Sequence, residues 1–318
     1  MLLFGLDTQA SFDRALAAEL GVPLAAHEAR AFEDGEYKLR PLADPRGADV
    51  YVVQSLHGDD RASPHDKLCA LLMFVATLRD HGAARVTAVV PYLAYARKDR
   101  RTKPFDPVTS RYVAQWLEAA GMTQLVVLEA HNPAALDNAF RCPVQHLQAH
   151  PAFDAVADEL GDGPLAVASP DPGGVKRAQL WREHLEGRRG GPVGFAMVDK
   201  RRSAGVVSGT ELVAGDVEGA DVLLLDDLIA TGGTLVRAAR ALRAAGARRV
   251  VACAAHGLFV EGAERTLADT ALDRVVVCDS VPAFRVPAAS PLRARLTVAS
   301  CVPMFAHALR QSRASWLQ

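Results

Sequence analysis

Short apolar runs alternate with longer amphipathic stretches along almost the whole chain. Runs of four to six residues rich in Val, Leu and Ala suit strands buried on both faces, and the stretches between them carry apolar residues at helical spacing. In the first half the pattern predicts strands at 2–5, 49–54, 85–91 and 124–128, and helices over 11–21, 67–81 and 109–121. Ser11 is placed to cap the first helix, and Gly82 stops the second. The second half repeats the plan, with strands at 165–168, 195–198 and 249–254, an apolar run opening at Val222, and a strand at 274–278. Such alternation predicts an α/β fold of two domains, each a mainly parallel sheet flanked by helices. The polar stretch V-Q-H-L-Q-A-H-P sets the expected boundary, giving domains 1–148 and 149–301. The tail 302–318 has a helical pattern and can pack back on the first domain.

Composition narrows the class. The chain has 318 residues, enough for two ordinary cores, and 50% hydrophobic with 23% charged residues is a globular balance. A formal net charge of −1 gives no global field toward nucleic acid or an anionic membrane. No apolar segment is long enough to span a bilayer, and the N-terminus M-L-L-F-G-L-D does not resemble a signal peptide. Five scattered cysteines with no C-x-x-C pair read as small apolar residues of a reducing cytoplasm.

The most informative stretch is V-L-L-L-D-D-L-I-A-T-G-G-T, followed by the helical run L-V-R-A-A-R-A-L-R-A-A-G-A. A strand here delivers Asp226 and Asp227 into the short loop of Ala230, Thr231, Gly232, Gly233 and Thr234. The glycines let backbone N–H groups approach an anion, Thr231 and Thr234 add hydroxyl donors, and the helix start supplies partial positive charge. Two carboxylates would repel a phosphate. They suit the hydroxyls of an attached sugar, directly or through a hydrated cation. The stretch therefore reads as a sugar-phosphate site at the carboxyl end of a parallel strand.

Other stretches carry chemistry of the same kind. In R-A-F-E-D-G-E, which alone would read as a surface turn, Phe32 can stack on a nucleobase while Asp34 and Glu36 accept from its amine or sugar. The group P-Y-L-A-Y-A-R-K-D-R-R follows a strand and offers Arg97, Lys98, Arg100 and Arg101 to a polyphosphate. His131 in E-A-H also follows a strand and can ligate a metal. In S-P-D-P-G-G-V-K-R-A, Asp171 stands beside a glycine pair that opens a helix. D-K-R-R begins a Gly- and Ser-containing loop, S-A-G-V-V-S-G-T, which reads as mobile and suited to closing over transferring phosphates.

D-D-L-I-A-T-G-G-T resembles the phosphoribosyl-diphosphate loop of both type I phosphoribosyltransferases and ribose-phosphate pyrophosphokinases. F-E-D-G-E, Y-A-R-K-D, E-A-H, S-P-D-P-G-G-V-K-R-A, D-K-R-R and A-A-H-G-L-F then resemble the pyrophosphokinase motifs, in order and along nearly the whole chain. That resemblance implies transfer of the β,γ-diphosphoryl group of ATP to the C1 hydroxyl of ribose 5-phosphate, releasing AMP, with Mg²⁺ as cofactor. It implies that Ala230, Thr231, Gly232, Gly233 and Thr234 hold the 5-phosphate, with Asp226 and Asp227 on the ribose hydroxyls. Phe32, Asp34, Glu36, Arg97, Lys98 and Asp99 would take ATP. His131 and Asp171 would bind magnesium, and Lys200 and Arg202 would stabilise charge on the β-phosphate. The family also implies a cytoplasmic homo-oligomer, dimer or hexamer, with no nucleic-acid or membrane partner. The sequence departs from the family pattern at Lys98, where glutamine is usual, at Glu129, at Ala230 and in S-A-G-V-V-S-G after Arg202. Two rival readings are a phosphoribosyltransferase sharing the loop and a catalytically silent paralogue that regulates a true synthetase.

Overall fold

The computed structural model describes residues 1–7, 11–203 and 206–315, with side chains throughout except at 200–203, 206–210 and 314–315. The chain divides into two compact units, the first formed by Met1–Gln148 and Cys301–Gln318, the second by Ala149–Ser300.

The first unit runs β1 (Leu2–Gly5), α1 (Ser11–Leu20), β2 (His27–Ala31), β3 (Tyr37–Pro41), β4 (Asp49–Val53), α2 (Pro64–Asp80), β5 (Arg85–Val90), α3 (Thr109–Ala119), β6 (Gln124–Leu128), α4 (Pro133–Ala139) and β7 (Val144–Leu147). Its sheet has the order β1-β4-β5-β6-β7 and is parallel throughout. Alternate strand residues (Val50, Val52, Val86, Ala88, Val90) meet Leu68, Leu71, Phe74, Val75 and Leu78 of α2 and Val113 and Leu117 of α3 in one buried cluster. Helix α2 begins three residues before the predicted Lys67. Ser63 caps it, and Asp66 returns the bond to the Ser63 amide at 2.7 Å, so a reciprocal capping box outweighs the weak apolar pattern of this turn.

The second unit runs α5 (Asp154–Asp158), β8 (Leu165–Ser169), α6 (Val175–Arg189), β9 (Gly194–Ser203), β10 (Val206–Ala214), β11 (Asp221–Ile229), α7 (Gly233–Ala244), β12 (Arg249–Gly257), α8 (Ala263–Thr266), β13 (Arg274–Cys278) and β14 (Leu296–Ala299). The sheet order is β10-β9-β8-β11-β12-β13-β14, parallel except for β10 against β9. At the amino ends of β11 and β12, Asp221 accepts from Arg248 at 2.9 Å and from Arg249 at 2.9 Å. Burial opposes its ionisation, but the two guanidinium groups outweigh it and hold the carboxyl at about 2. Helix α9 (Val302–Ser315) belongs to the first unit.

Several elements differ from the sequence expectation. The stretch after Arg202, predicted as a loop, ends β9 at Ser203 and forms β10, which pairs back on β9, with Ala204 and Gly205 outside the described residues. Val206, Val207, Thr210 and Val213 favour strand, and one face of a hairpin needs only every second residue apolar. The turn around Phe32 is likewise flanked by an antiparallel ribbon, β2 with β3. Of the five cysteines, none of them in a disulfide among the described residues, Cys253, Cys278 and Cys301 are buried as expected, whereas Cys69 is exposed on α2. No helix among the described residues is long and apolar enough to cross a membrane.

Candidate functional site

The loop that the sequence reads as a sugar-phosphate site joins β11 to α7. Its backbone is pinned from behind. The amides of Leu258 and Phe259 donate to the Ile229 carbonyl at 2.9 and 3.1 Å, and that of Val260 donates to Ala230 at 3.0 Å. These bonds explain what A-A-H-G-L-F does locally. Its last two residues and the valine after them occupy the loop carbonyls, leaving the loop amides for a ligand. Gly232 has φ 80°, and a Cβ there would stand 2.6 Å from Leu267 Cγ, so both conformation and space require glycine. The first helical bond of α7 runs from the Val236 amide to Gly232. The amides of Gly233, Thr234 and Leu235 are therefore among the helix-start donors that have no intrahelical acceptor.

Asp226 and Asp227 stand at the carboxyl end of β11, where the Asp227 amide donates to Asp226 Oδ1 at 2.9 Å. Burial first, and then the adjacent Asp227 carboxylate, push Asp226 well above the usual carboxylate range, against the Asp227 amide and Arg177. Such a carboxyl is poised to hydrogen-bond a sugar hydroxyl. Asp171 follows β8 on the neighbouring strand of the same sheet. Its Oδ1 accepts from the Gly173 and Gly174 amides at 2.8 and 3.2 Å, which orients the group. Ser169 Oγ donates to the Asp171 carbonyl at 2.6 Å and would stand 2.7 Å from a Cβ on Gly174. Lys200 and Arg202 lie on β9 in register with Glu211 and Val207, and their side chains lie outside those described.

In the first unit, the Phe32 amide donates to the Glu36 carbonyl at 2.8 Å and closes the hairpin turn. Asp34 Oδ1 accepts from the Glu36 amide at 3.1 Å, and the Arg30 guanidinium lies 5.0 Å from the Phe32 ring centre. The ring is 37% exposed, available for stacking. The basic loop after β5 is organised from within. Lys98 donates to Asp106 Oδ2 at 2.5 Å and to Thr102 Oγ1 at 3.2 Å, and the Thr102 and Lys103 amides donate to the same Asp106 oxygen. Lys98, then the Thr102 amide, hold the Asp106 carboxyl well below its ordinary value. The Lys98 charge is thus balanced in place, while Arg97, Arg100 and Arg101 are exposed. Asn132 joins two stretches: its Nδ2 donates to Asp99 Oδ2 at 2.6 Å, and its Oδ1 caps α4 at the Ala135 amide. His131 is exposed beside it, in a loop where Glu129 has φ 42° and the Ala130 amide donates to His146 Nε2 at 2.9 Å.

Asn132, His146, Ser169 and the two amides on Ile229 are positioning features that sequence reading missed. Only the S-P-D-P-G-G pattern gave a signal for any of them. Asp7, His57 and Asp59 can bring three ligand atoms within 4.8 Å of one another. The Lys67 ammonium stands among them, 2.6 Å from Asp59, 3.4 Å from His57 Nε2 and 3.7 Å from Asp7, and already supplies the cation.

A family model described as the N-terminal domain of ribose phosphate pyrophosphokinase matches residues 1–121, and a phosphoribosyl transferase domain model matches residues 148–291. The chain is 37% identical over 296 residues to a ribose-phosphate pyrophosphokinase of Caldanaerobacter subterraneus subsp. tengcongensis, covering 92% of this chain and 89% of that protein. It is 35% identical over 314 residues to one of Vibrio cholerae, covering 98% and 95%. The crystal structure of phosphoribosylpyrophosphate synthetase from Mycobacterium smegmatis aligns with a TM-score of 0.86 at 31% identity, covering 99% of each chain.

Proposed function

The chain belongs to the ribose-phosphate pyrophosphokinase family, and from that premise we propose how its residues make 5-phosphoribosyl 1-diphosphate from ATP and ribose 5-phosphate. It is an enzyme of that class. The C1 oxygen of the sugar forms a bond to the β-phosphorus of ATP, the bond from that phosphorus to the α,β-bridging oxygen breaks, and AMP leaves. Phosphoryl transfer of this kind needs positioning and charge stabilisation rather than a protein nucleophile.

The observation that carries the reading is the loop after β11, with its free amides at a helix start and the two carboxylates just before it. The amides of residues 230–234, with the Thr231 and Thr234 hydroxyls, bind the 5-phosphate, and Asp226 and Asp227 orient the ribose hydroxyls. Phe32 stacks on adenine, with Asp34 and Glu36 at its polar edge. Arg97 meets the polyphosphate, while Lys98 and Asp99 shape the loop that carries it. Lys200 and Arg202 stabilise charge developing on the β-phosphate.

Magnesium fits the residues present. In the second unit the Asp171 carboxylate, oriented through Oδ1 by two amides, would hold the ion, and in the first unit the exposed His131 imidazole is the other ligand type the family resemblance implies. When bound, the ion neutralises phosphate charge. We further read the enzyme as a cytoplasmic homo-oligomer. An AMP-release assay with ATP and Mg²⁺ tests the whole reading: AMP should form only when ribose 5-phosphate is added, and AMP formed equally without it, or none at all, would overturn it.

A further inference from the structure

We propose that Arg237 is a positioning residue that links filling of the sugar-phosphate loop to strand β10, an inference that rests on the assignment of that loop to ribose 5-phosphate. Arg237 lies one helical turn after Thr234 on α7, so the two side chains share a face. Its Nη2 donates to Thr234 Oγ1 at 3.3 Å, and its Nε lies 3.3 Å from Glu211 Oε1 of β10. Its Nη1 would stand 3.5 Å from a Cβ on Gly233. One guanidinium therefore touches the loop hydroxyl, lies along the loop glycine and pairs with a carboxylate on the neighbouring hairpin.

The arrangement makes each partner dependent on Arg237. Among the described residues Glu211 Oε2 is buried without a hydrogen-bond partner, and Arg237 is the described counter-charge that makes this carboxylate tolerable where it stands. Removing one member of such a pair leaves the other desolvated and unsatisfied. Thr234 Oγ1 accepts from Arg237, so its own proton is left to donate to a phosphate oxygen. Arg237 and Gly233 line a groove of about 460 Å³ between α7 and α8, whose other arginines have partners within α8 and the turn after it: Arg240 donates to Asp269, and Arg265 lies near Glu264. Arg237 alone among the groove's described arginines takes its partner from the hairpin.

A phosphate dianion entering the loop brings negative charge beside this guanidinium. When the Thr234 hydroxyl turns to the phosphate, Arg237 follows it through its bond to Oγ1, and β10 senses the occupancy of the loop through Glu211. Glu211 is the residue in register with Lys200 on β9, so the strand that Arg237 holds is the one that sets the backbone of Lys200. The consequence is that a bound sugar phosphate, rather than an empty loop, fixes the hairpin for transfer.

The test compares the full-length chain with Arg237→Leu, Arg237→Lys and Glu211→Gln by kinetics and by amide hydrogen exchange with and without ribose 5-phosphate. In the unaltered protein ribose 5-phosphate should slow exchange in the 230–236 amides and also in β10. Arg237→Leu and Glu211→Gln should keep the loop response and lose the β10 response. For Arg237→Leu, kcat should fall roughly tenfold while the KM for ribose 5-phosphate moves less than about threefold, with Arg237→Lys recovering most of kcat. The double variant should be no slower than Arg237→Leu. A raised KM at unchanged kcat, or a β10 response that survives in both variants, overturns the link. Absence of the 230–236 response in the unaltered protein is a different failure, that of the loop assignment itself.

Discussion

Asp13 sits on α1 with 4% of its surface exposed, and among the described residues its Oδ2 has no hydrogen-bond partner. Burial, and then the nearby Asp7 carboxylate, push its carboxyl up to about 8, against Arg14, the Asp7 amide and Lys67. The unfolded chain releases this proton near pH 4, as a free aspartate does, while the folded chain keeps it. Between about pH 4 and 8 the folded state therefore binds the extra proton, and stability falls as pH rises, by up to about 1.4 kcal/mol per unit from this group. Below that window both states are protonated and the contribution is flat. Asp13→Asn should abolish the slope and raise the melting temperature at pH 8 while changing it little at pH 4. Parallel melting profiles for the two proteins across that range would show that the carboxyl is ionised in the fold. Nothing in G-L-D-T-Q-A-S-F-D announces this group, because its burial comes from packing of α1. By contrast, Asp226 and Asp227 stand out in the bare sequence, because the sugar-phosphate site proposed for them would draw its chemistry from consecutive residues.

The loop between β11 and α7 shows what an element adds to a motif. T-G-G-T signals flexibility and close approach, yet the two glycines do different work: Gly232 is held at φ 80° against Leu267, whereas Gly233 begins the helix. Gly232→Ala should lose ribose 5-phosphate binding by at least tenfold in calorimetry and destabilise the chain by about 1–3 kcal/mol, since both backbone strain and overpacking oppose it. Gly233→Ala, with its nearest contact at 3.5 Å, should retain most of the stability. Equal losses in both would mean the left-handed turn is not what shapes the cradle. The basic loop after β5 makes a second case. R-K-D-R-R reads as a cluster of free cations, but Lys98 is consumed by Asp106, eight residues on, a pairing that no local pattern displays. Lys98→Gln should then leave the KM for ATP within about threefold, and Arg97→Ala should raise it by tenfold or more. The reverse ranking would put Lys98 on the nucleotide. The hairpin β9–β10 was hidden for a related reason. Its strands are read by alternation, and a Ser-Ala-Gly stretch in the middle masks the period.

At the scale of the whole chain, the parallel sheets were legible because their inner strands, such as β5, β6, β8 and β12, bury both faces and read as continuous apolar runs. Strands with partly exposed faces, such as β7 and β14, gave no such run. The path of the chain was harder to read, since it leaves the first unit after Gln148 and returns to it at Cys301. Helix α9 is part of that unit's core: Phe305 meets Phe12 edge to face at 5.4 Å, and Phe305, Ala306 and Leu309 are buried. Ser312 ties it to the sheet, donating to Gln145 Oε1 at 3.0 Å and accepting from Gln124 Nε2 at 3.1 Å. Each large apolar side chain so buried contributes roughly 1.5–3 kcal/mol, against a total domain stability of about 5–15 kcal/mol. Truncation after Ser300 should therefore undo the first unit and spare the second, whose segment is continuous in sequence. Hydrogen exchange of the truncated chain should show β4, β5 and β6 exchanging freely while β8, β11 and β12 stay protected. Protection retained in both sheets would mean that the first unit's core stands without α9, and protection lost in both would mean that neither unit is stable apart from the other.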